Sequence, residues 1–235
     1  MPRLTTIGFD ADDTLWENER QYHVAKHRFA ALLAKACAQD TALAVLDEIE
    51  VRNVSVYGYG IKSYSLSMME AAARLAGGAL DPTLIDSLLA ITREMLRAPV
   101  DMIDGVVEAL DRLAQGYTFV LLTKGDLFEQ EAKIRRSGIG GRFQVVRVLY
   151  EKTAEVYRQV LRELGVLPDS FLMVGNSLRS DILPVLAVGA RAVFVPHPLT
   201  WSHEHVAAEH MPAAGWVEIT SIADLPDAIR AIDAE

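Results

Sequence analysis

The chain has 235 residues, 51% hydrophobic and 23% charged, with 23 basic against 32 acidic side chains and a net charge of −9. Such a length buries a full core and accommodates one large domain or two small ones, and the composition is that of an ordinary soluble globular protein. An acidic chain without basic clusters is ill suited to nucleic-acid polymers or acidic membrane surfaces, although a metal and a local lysine can still reverse the field around a bound phosphate.

Cys37 is the only cysteine, so an internal disulfide and a cysteine-based zinc cluster are both excluded. Its surroundings, Ala34 to Ala38, read as a helix face on which it serves as a small buried hydrophobe. The start, Met1-Pro2-Arg3, lacks the apolar h-region of a signal peptide, and no apolar stretch is long and uncharged enough to span a bilayer; the expectation is a cytoplasmic protein.

In chain order, the run Leu4 to Phe9 reads as a short buried strand. Directly behind it stands Asp10-Ala11-Asp12-Asp13-Thr14, followed by Leu15-Trp16. Three carboxylates at the end of a buried strand repel one another and favour a bound cation. The plainer alternative is a turn or helix cap made by Asp13 or Thr14. From about Glu17 to Arg97 the periodicity is helical. Tyr22, Phe29, Leu32 and Leu33 share a first face, Ala42 to Val51 form a second helix, and Ser63 to Leu75 a third, ended by Gly77-Gly78. Asp81-Pro82 opens a fourth through Leu88, Leu89, Ile91 and Met95, with proline in the first turn. Gly58-Tyr59-Gly60 breaks the block as a loop.

From Ile103 the pattern alternates. A helix over Val106 to Ala114 precedes a strand over Tyr117 to Leu122. A helix over Leu127 to Ser137 precedes a strand over Phe143 to Leu149. A helix over Thr153 to Leu164 precedes a strand over Phe171 to Val174, and a helix over Ile182 to Val188 precedes a strand over Ala192 to Val195. Trp216 to Ile219 reads as an edge strand and Leu225 to Ile232 as a final helix. Such alternation predicts a Rossmann-like α/β fold, a parallel sheet with helices on both faces. Residues 1–16 and 98–235 form its core domain, and residues 17–97 form an inserted all-helical cap domain.

Four polar clusters follow four of these strands: Asp10-Ala11-Asp12, Thr123-Lys124-Gly125, Lys152, and Gly175-Asn176 through Asp181. In a parallel sheet they converge on one edge, where ligands bind. Taken singly, Lys152 reads as a solvated charge, Thr123 as a strand-end hydroxyl and Asp181 as a cap or helix-dipole partner. Taken together, the four clusters resemble, in order, the four motifs of the haloacid dehalogenase-like (HAD) hydrolase superfamily, and the helical block resembles its C1 cap.

The resemblance implies an enzyme of the phosphatase branch, working on a small phosphorylated metabolite through an aspartyl-phosphate, with Mg²⁺ as cofactor. Asp10 is then the nucleophile and Asp12 the general acid/base, Lys152 places positive charge between Asp10 and the phosphoryl group, and Thr123 donates to a phosphoryl oxygen. Asp10, Asp181, the backbone carbonyl of Asp12 and, through a metal-bound water, Asn176 form the metal site. Two positions depart from the family pattern: Asn176 stands where an aspartate is common, and Lys124 where an asparagine is common. Lys124 is open to orienting Asp10, reaching substrate or pointing to solvent. Dehalogenases of the superfamily lack an aspartate at the place of Asp12, since halide leaves without a proton. A haloacid dehalogenase is therefore the weaker alternative, beside a phosphomutase and a non-enzymatic binding protein on the same scaffold. Lys62, in Tyr57 to Tyr64, is expected to touch the leaving group; an ordinary helix connection is the alternative. The histidines of Pro196 to His203, with His205, lack the pattern of a zinc site and read as loop residues near the cleft. Trp16 is expected at a hinge, and the chain is expected to be a monomer or homodimer.

Overall fold

The computed structural model describes residues 4–78, 80–201, 204, 206 and 212–234. Strand β1 (Thr6–Phe9) is followed by helices α1 (Glu19–Leu32), α2 (Gln39–Tyr57), α3 (Ile61–Leu75) and α4 (Pro82–Arg97). Then come α5 (Val106–Leu113), β2 (Thr118–Lys124), α6 (Leu127–Ser137), β3 (Val145–Leu149), α7 (Ala154–Leu164) and β4 (Phe171–Gly175). A π-helical turn over Leu178–Ile182 runs into the short α8 (Leu183–Leu186), followed by β5 (Arg191–Phe194), β6 (Trp216–Glu218) and α9 (Leu225–Ala234). The chain divides into a sheet unit, residues 1–17, 100–124 and 133–235, and a helical unit, residues 18–99 and 125–132.

In the sheet unit the strands pair in the order β3-β2-β1-β4-β5-β6, every pairing parallel. This is the α/β class that the alternating pattern predicts. Successive side chains of a strand point to opposite faces, and here both faces are covered. Ile7, Phe9, Phe119, Leu121, Leu172 and Val174 pack on one face with Leu110 and Ile229. Val120, Leu122, Phe171 and Met173 pack on the other with Tyr157, Val160 and Leu161. Phe9 meets Phe119 edge-on at 5.4 Å between ring centroids, a geometry aromatic quadrupoles favour. Gly8 has no side chain because the Phe171 ring occupies its place; an added Cβ would overlap that ring and meet the Met173 sulfur at 3.0 Å.

The topology positions the site. Chain direction across the sheet reverses at β1, whose neighbours are β2 and β4, and ligands of open α/β sheets bind beyond the strand C-termini at such a switch point. Phe9 pairs with Leu121 and with Val174, and the Asp10 N–H donates to the Val174 carbonyl at 2.9 Å. Asp10, Thr123 and Gly175 therefore leave the sheet side by side.

The helical unit has its own core of Phe29, Leu46, Ile49, Tyr64, Met68, Leu88, Ile91 and Met95. Asp81 caps α4 by accepting from the Thr83 N–H at 2.7 Å, with Pro82 in the first turn, as its sequence predicts. Cys37 corrects an expectation: it lies in the bend between α1 and α2, partly buried against this core, because α1 ends at Leu32. The helix expected over Ile182 to Val188 also differs: it begins earlier, as a π turn, and α8 stops at Leu186. No helix among the described residues is long and apolar enough to cross a membrane.

A methyl group at position 8 must displace the Phe171 ring. We expect Gly8→Ala to cost about 1–3 kcal/mol, read from the midpoint of urea unfolding; an unchanged midpoint would show that the ring has room to move.

Candidate active site

Behind β1 the chain turns sharply. Asp13 adopts a left-handed backbone, φ 59°, unusual for a residue with a side chain, and the N–H groups of Thr14 and Leu15 donate to the Ala11 carbonyl at 3.3 and 2.8 Å. Leu15 and Trp16, buried in the sheet-unit core, anchor the far side of this turn. Carboxylates 10, 12 and 13 are thereby held in one short loop.

Asp10 lies nearest the sheet. Its Oδ1 accepts from the Lys152 ammonium, and the same ammonium donates to Asp181 Oδ1 at 2.7 Å. Lys152 is 3% exposed, which excludes the solvated-charge reading. The Ser177 N–H donates to Asp181 Oδ2 at 3.0 Å. The Thr14 hydroxyl lies 3.3 Å from both Asp10 Oδ2 and Asn176 Oδ1. Asp10, Lys152, Asp181 and Asn176, drawn from three of the four sequence clusters, thus form one buried cluster. Burial pushes the Asp10 carboxyl up to about 7, against the pull of Lys152 and with the push of Asp181. Burial alone would lower the Lys152 ammonium, but Asp10 and Asp181 outweigh it and hold it above its ordinary value.

Asp12 faces different partners. Its Oδ1 accepts from the Trp16 indole N–H at 2.7 Å, and the Lys133 ammonium donates to Oδ1 at 2.8 Å and Oδ2 at 2.7 Å. Neither Lys133 nor the indole contact is among the sequence-based expectations. Thr123 is buried at the end of β2, its hydroxyl 3.3 Å from the Lys124 carbonyl. The Lys124 side chain is largely buried rather than pointed to solvent. It donates to the Ser180 hydroxyl at 2.8 Å and to Glu204 at 2.7 Å. Glu204 also accepts from Ser177 and Ser180. Burial would raise the Glu204 carboxyl, but Lys124 and the two hydroxyls bring it down to about 2. Nothing in the sequence around Glu204 marked it. Lys62 belongs to the helical unit, where it pairs with Asp126 at 2.8 Å and lies over the Phe128 ring.

His203 and His205 lie outside the described residues. His197 has Nδ1 3.7 Å from Asp13 and Nε2 3.4 Å from Glu17, and ligand atoms of the three residues lie within 4.8 Å of one another. The Leu199 N–H donates to His197 Nδ1 at 3.3 Å, which puts the ring proton on Nε2, towards Glu17. A metal-bound imidazole has the opposite need, an acceptor for its second nitrogen's proton. This trio therefore braces the loop.

A family model described as haloacid dehalogenase-like hydrolase matches residues 4–189. A solved haloacid dehalogenase-like family hydrolase from Xanthomonas campestris superposes with a TM-score of 0.88 at 37% identity, covering 99% of this chain and 93% of that one. The chain is also 25% identical over 232 residues to the glyceraldehyde 3-phosphate phosphatase of Methanothermobacter thermautotrophicus, covering 94% of this chain and 96% of the relative. It is 23% identical over 248 residues to the human N-acylneuraminate-9-phosphatase, covering 100% and 97%. The chain belongs to the haloacid dehalogenase-like hydrolase family and is an enzyme of that class.

Gly175 touches the Asp181 carboxylate so closely that an added Cβ would overlap it. We expect Gly175→Ala to cost about 2 kcal/mol by pushing Asp181 off Lys152. Asp181→Ala removes the carboxylate atoms the methyl meets and leaves only the Cβ of residue 181 in its way, so the double variant should lose less than the sum of the singles. Strictly additive losses in denaturant unfolding would refute this account of Gly175.

Proposed function

We propose that the protein is a phosphatase that hydrolyses a small phosphorylated metabolite through an aspartyl-phosphate on Asp10. One observation carries the reading: two carboxylates two residues apart sit in unlike settings at the end of the central strand, Asp10 buried on Lys152 and Asp12 half-buried on Lys133 and Trp16. Such a division suits one nucleophile and one proton carrier. Similarity to two phosphatases over nearly their full lengths supports it.

Asp10 attacks phosphorus as the bond to the leaving oxygen breaks, and Asp12 gives that oxygen its proton. The Asp12 carboxylate then takes a proton from water as the water oxygen bonds to phosphorus and the Asp10–phosphorus bond breaks. Phosphate leaves, and both aspartates return to their starting states. Lys152 holds Asp10 in place and partly offsets the repulsion between its carboxylate and the phosphate. Thr123 offers its hydroxyl to a phosphoryl oxygen. Lys62 contributes from the helical cap, residues 17–97, to recognition of the leaving group. Lys124, neutralised by Glu204, helps shape the phosphate pocket through Ser180.

The donors near Asp10 fit Mg²⁺. Asp10, Asp181 and Asn176 offer hard oxygens, and two buried carboxylates share a single ammonium, so the cluster has negative charge left for a cation. Asp10, Asp181 and the Asp12 carbonyl would hold the ion, with Asn176 on a bound water. The ion supplies screening of the phosphate's charge.

Phosphate release from a metabolite panel that includes glyceraldehyde 3-phosphate and N-acylneuraminate 9-phosphate tests the proposal. Wild type should turn over at least one ester with Mg²⁺. EDTA should abolish release, and Asp10→Asn should lower it by at least about 10³-fold. Release that survives Asp10→Asn would remove Asp10 as nucleophile. Metal affinity should also depend on pH. Asp10 titrates near 7, and a proton on it competes with the ion. The Mg²⁺ affinity should therefore rise about tenfold per pH unit below that value and level off above it. A pH-independent affinity from calorimetry at pH 5.5 to 8.5 would show that no group titrating in that range, a raised Asp10 included, binds the ion.

A further inference from the structure

Helix α6 opens on two exposed apolar residues and buries three polar ones. Leu127 and Phe128 are 59% and 72% exposed, whereas Glu129, Gln130 and Lys133 are almost wholly buried. Lysine is rarely buried unless something pairs with it, and here both oxygens of Asp12 accept from its ammonium. Asp12 has two side-chain torsions. Contact of one ammonium with both oxygens fixes the rotation of the carboxylate plane, and the indole N–H on Oδ1, 2.7 Å away, fixes the direction of the stem. Trp16 itself is locked in the core, 1% exposed. The Asp12 carboxylate is therefore held by two rigidly mounted donors from different parts of the sheet unit.

We infer that Lys133, together with the Trp16 indole, is a positioning residue that aims Asp12 for proton transfer. This rests on the phosphatase reading and goes beyond it: Lys133 acts through its contacts with both oxygens of Asp12 and determines where the proton carrier stands. Proton transfer demands a donor oxygen within hydrogen-bond reach of the leaving oxygen. An Asp12 free to rotate spends most of its time elsewhere.

The test exploits the leaving group. An alkoxide needs a proton to leave, whereas p-nitrophenolate does not. In single-turnover experiments Lys133→Met should slow alcohol release from the best alkyl phosphate of the panel about 100-fold, and p-nitrophenol release less than about threefold. Lys133→Arg keeps a donor on Asp12 and should recover much of the alkyl rate. A second readout needs no catalysis. The Trp16 indole cross-peak in a ¹H–¹⁵N spectrum, assigned with Trp16→Phe, should move in Lys133→Met and return towards its place in Lys133→Arg. Equal losses on both esters, or an indole peak that stays where wild type has it, would overturn the inference. If wild type releases phosphate from no ester, the phosphatase reading falls, and the indole spectrum still decides whether Lys133 holds Asp12.

Discussion

One buried ammonium holds the site together. Lys152 sits between Asp10, at the end of β1, and Asp181, in the turn behind β4. Without it, two carboxylates would stand uncompensated in a water-poor pocket, where removing one member of an ion pair costs several kcal/mol. The surrounding backbone is arranged to keep this contact. β1 and β4 are neighbours in register, so their ends emerge together. Gly175 leaves the space that the Asp181 carboxylate fills, and the Ser177 N–H holds its other oxygen. Tyr157 donates its hydroxyl to the Ser180 carbonyl at 3.1 Å and so ties α7 to the same turn.

The parts of the fold governed by local pattern were legible in the sequence. Runs such as Val120-Leu121-Leu122 and Leu172-Met173-Val174 carry apolar residues on both faces, the signature of strands buried on both sides. Asp10, Thr123, Lys152 and Asp181 could be assigned to one edge because parallel strands all end on the same side. The less legible parts depend on partners distant in sequence. Lys133 in Glu131-Ala132-Lys133-Ile134 has the look of any surface lysine, and Leu127-Phe128 that of a buried pair. The burial of Lys133 follows from where Asp12 lies, more than a hundred residues earlier, and that of Glu129 from the Ile61 N–H it accepts from. Glu204 is equally opaque, since its meaning comes from Lys124, Ser177 and Ser180. Cys37 was misplaced because an alanine-rich stretch favours helix locally, whereas the chain has to turn there to start α2.

The departures of this chain from the family pattern acquire a physical sense together. Lys124 adds a positive charge at the end of β2, and Glu204 cancels it through a direct ion pair. Asn176 removes a negative charge but keeps an oxygen within reach of Thr14. Among Asp10, Asp12, Asp181, Lys133 and Lys152, three carboxylates face two ammonium groups. With every carboxylate ionised one negative charge is left over, in the buried cluster around Asp10 and Asp181.

The two ammonium groups do unlike work. Lys152 bridges two acids and so fixes a pair of strand ends; burial makes Asp10 hard to ionise, and the pull of an ammonium shared with Asp181 offsets this only in part. Lys133 serves Asp12 with contacts to both oxygens, and the indole of Trp16 adds a third. A nucleophile has to be accessible along one line and can tolerate a shared counter-charge that a cation supplements. On the proposed reading a proton carrier has to occupy one orientation in two successive steps, first giving a proton to the leaving oxygen and then taking one from the water that replaces it. Lys152 forms a bridge between two acids and Lys133 a clamp on one, and both are built from side chains that converge beyond the C-terminal edge of one parallel sheet.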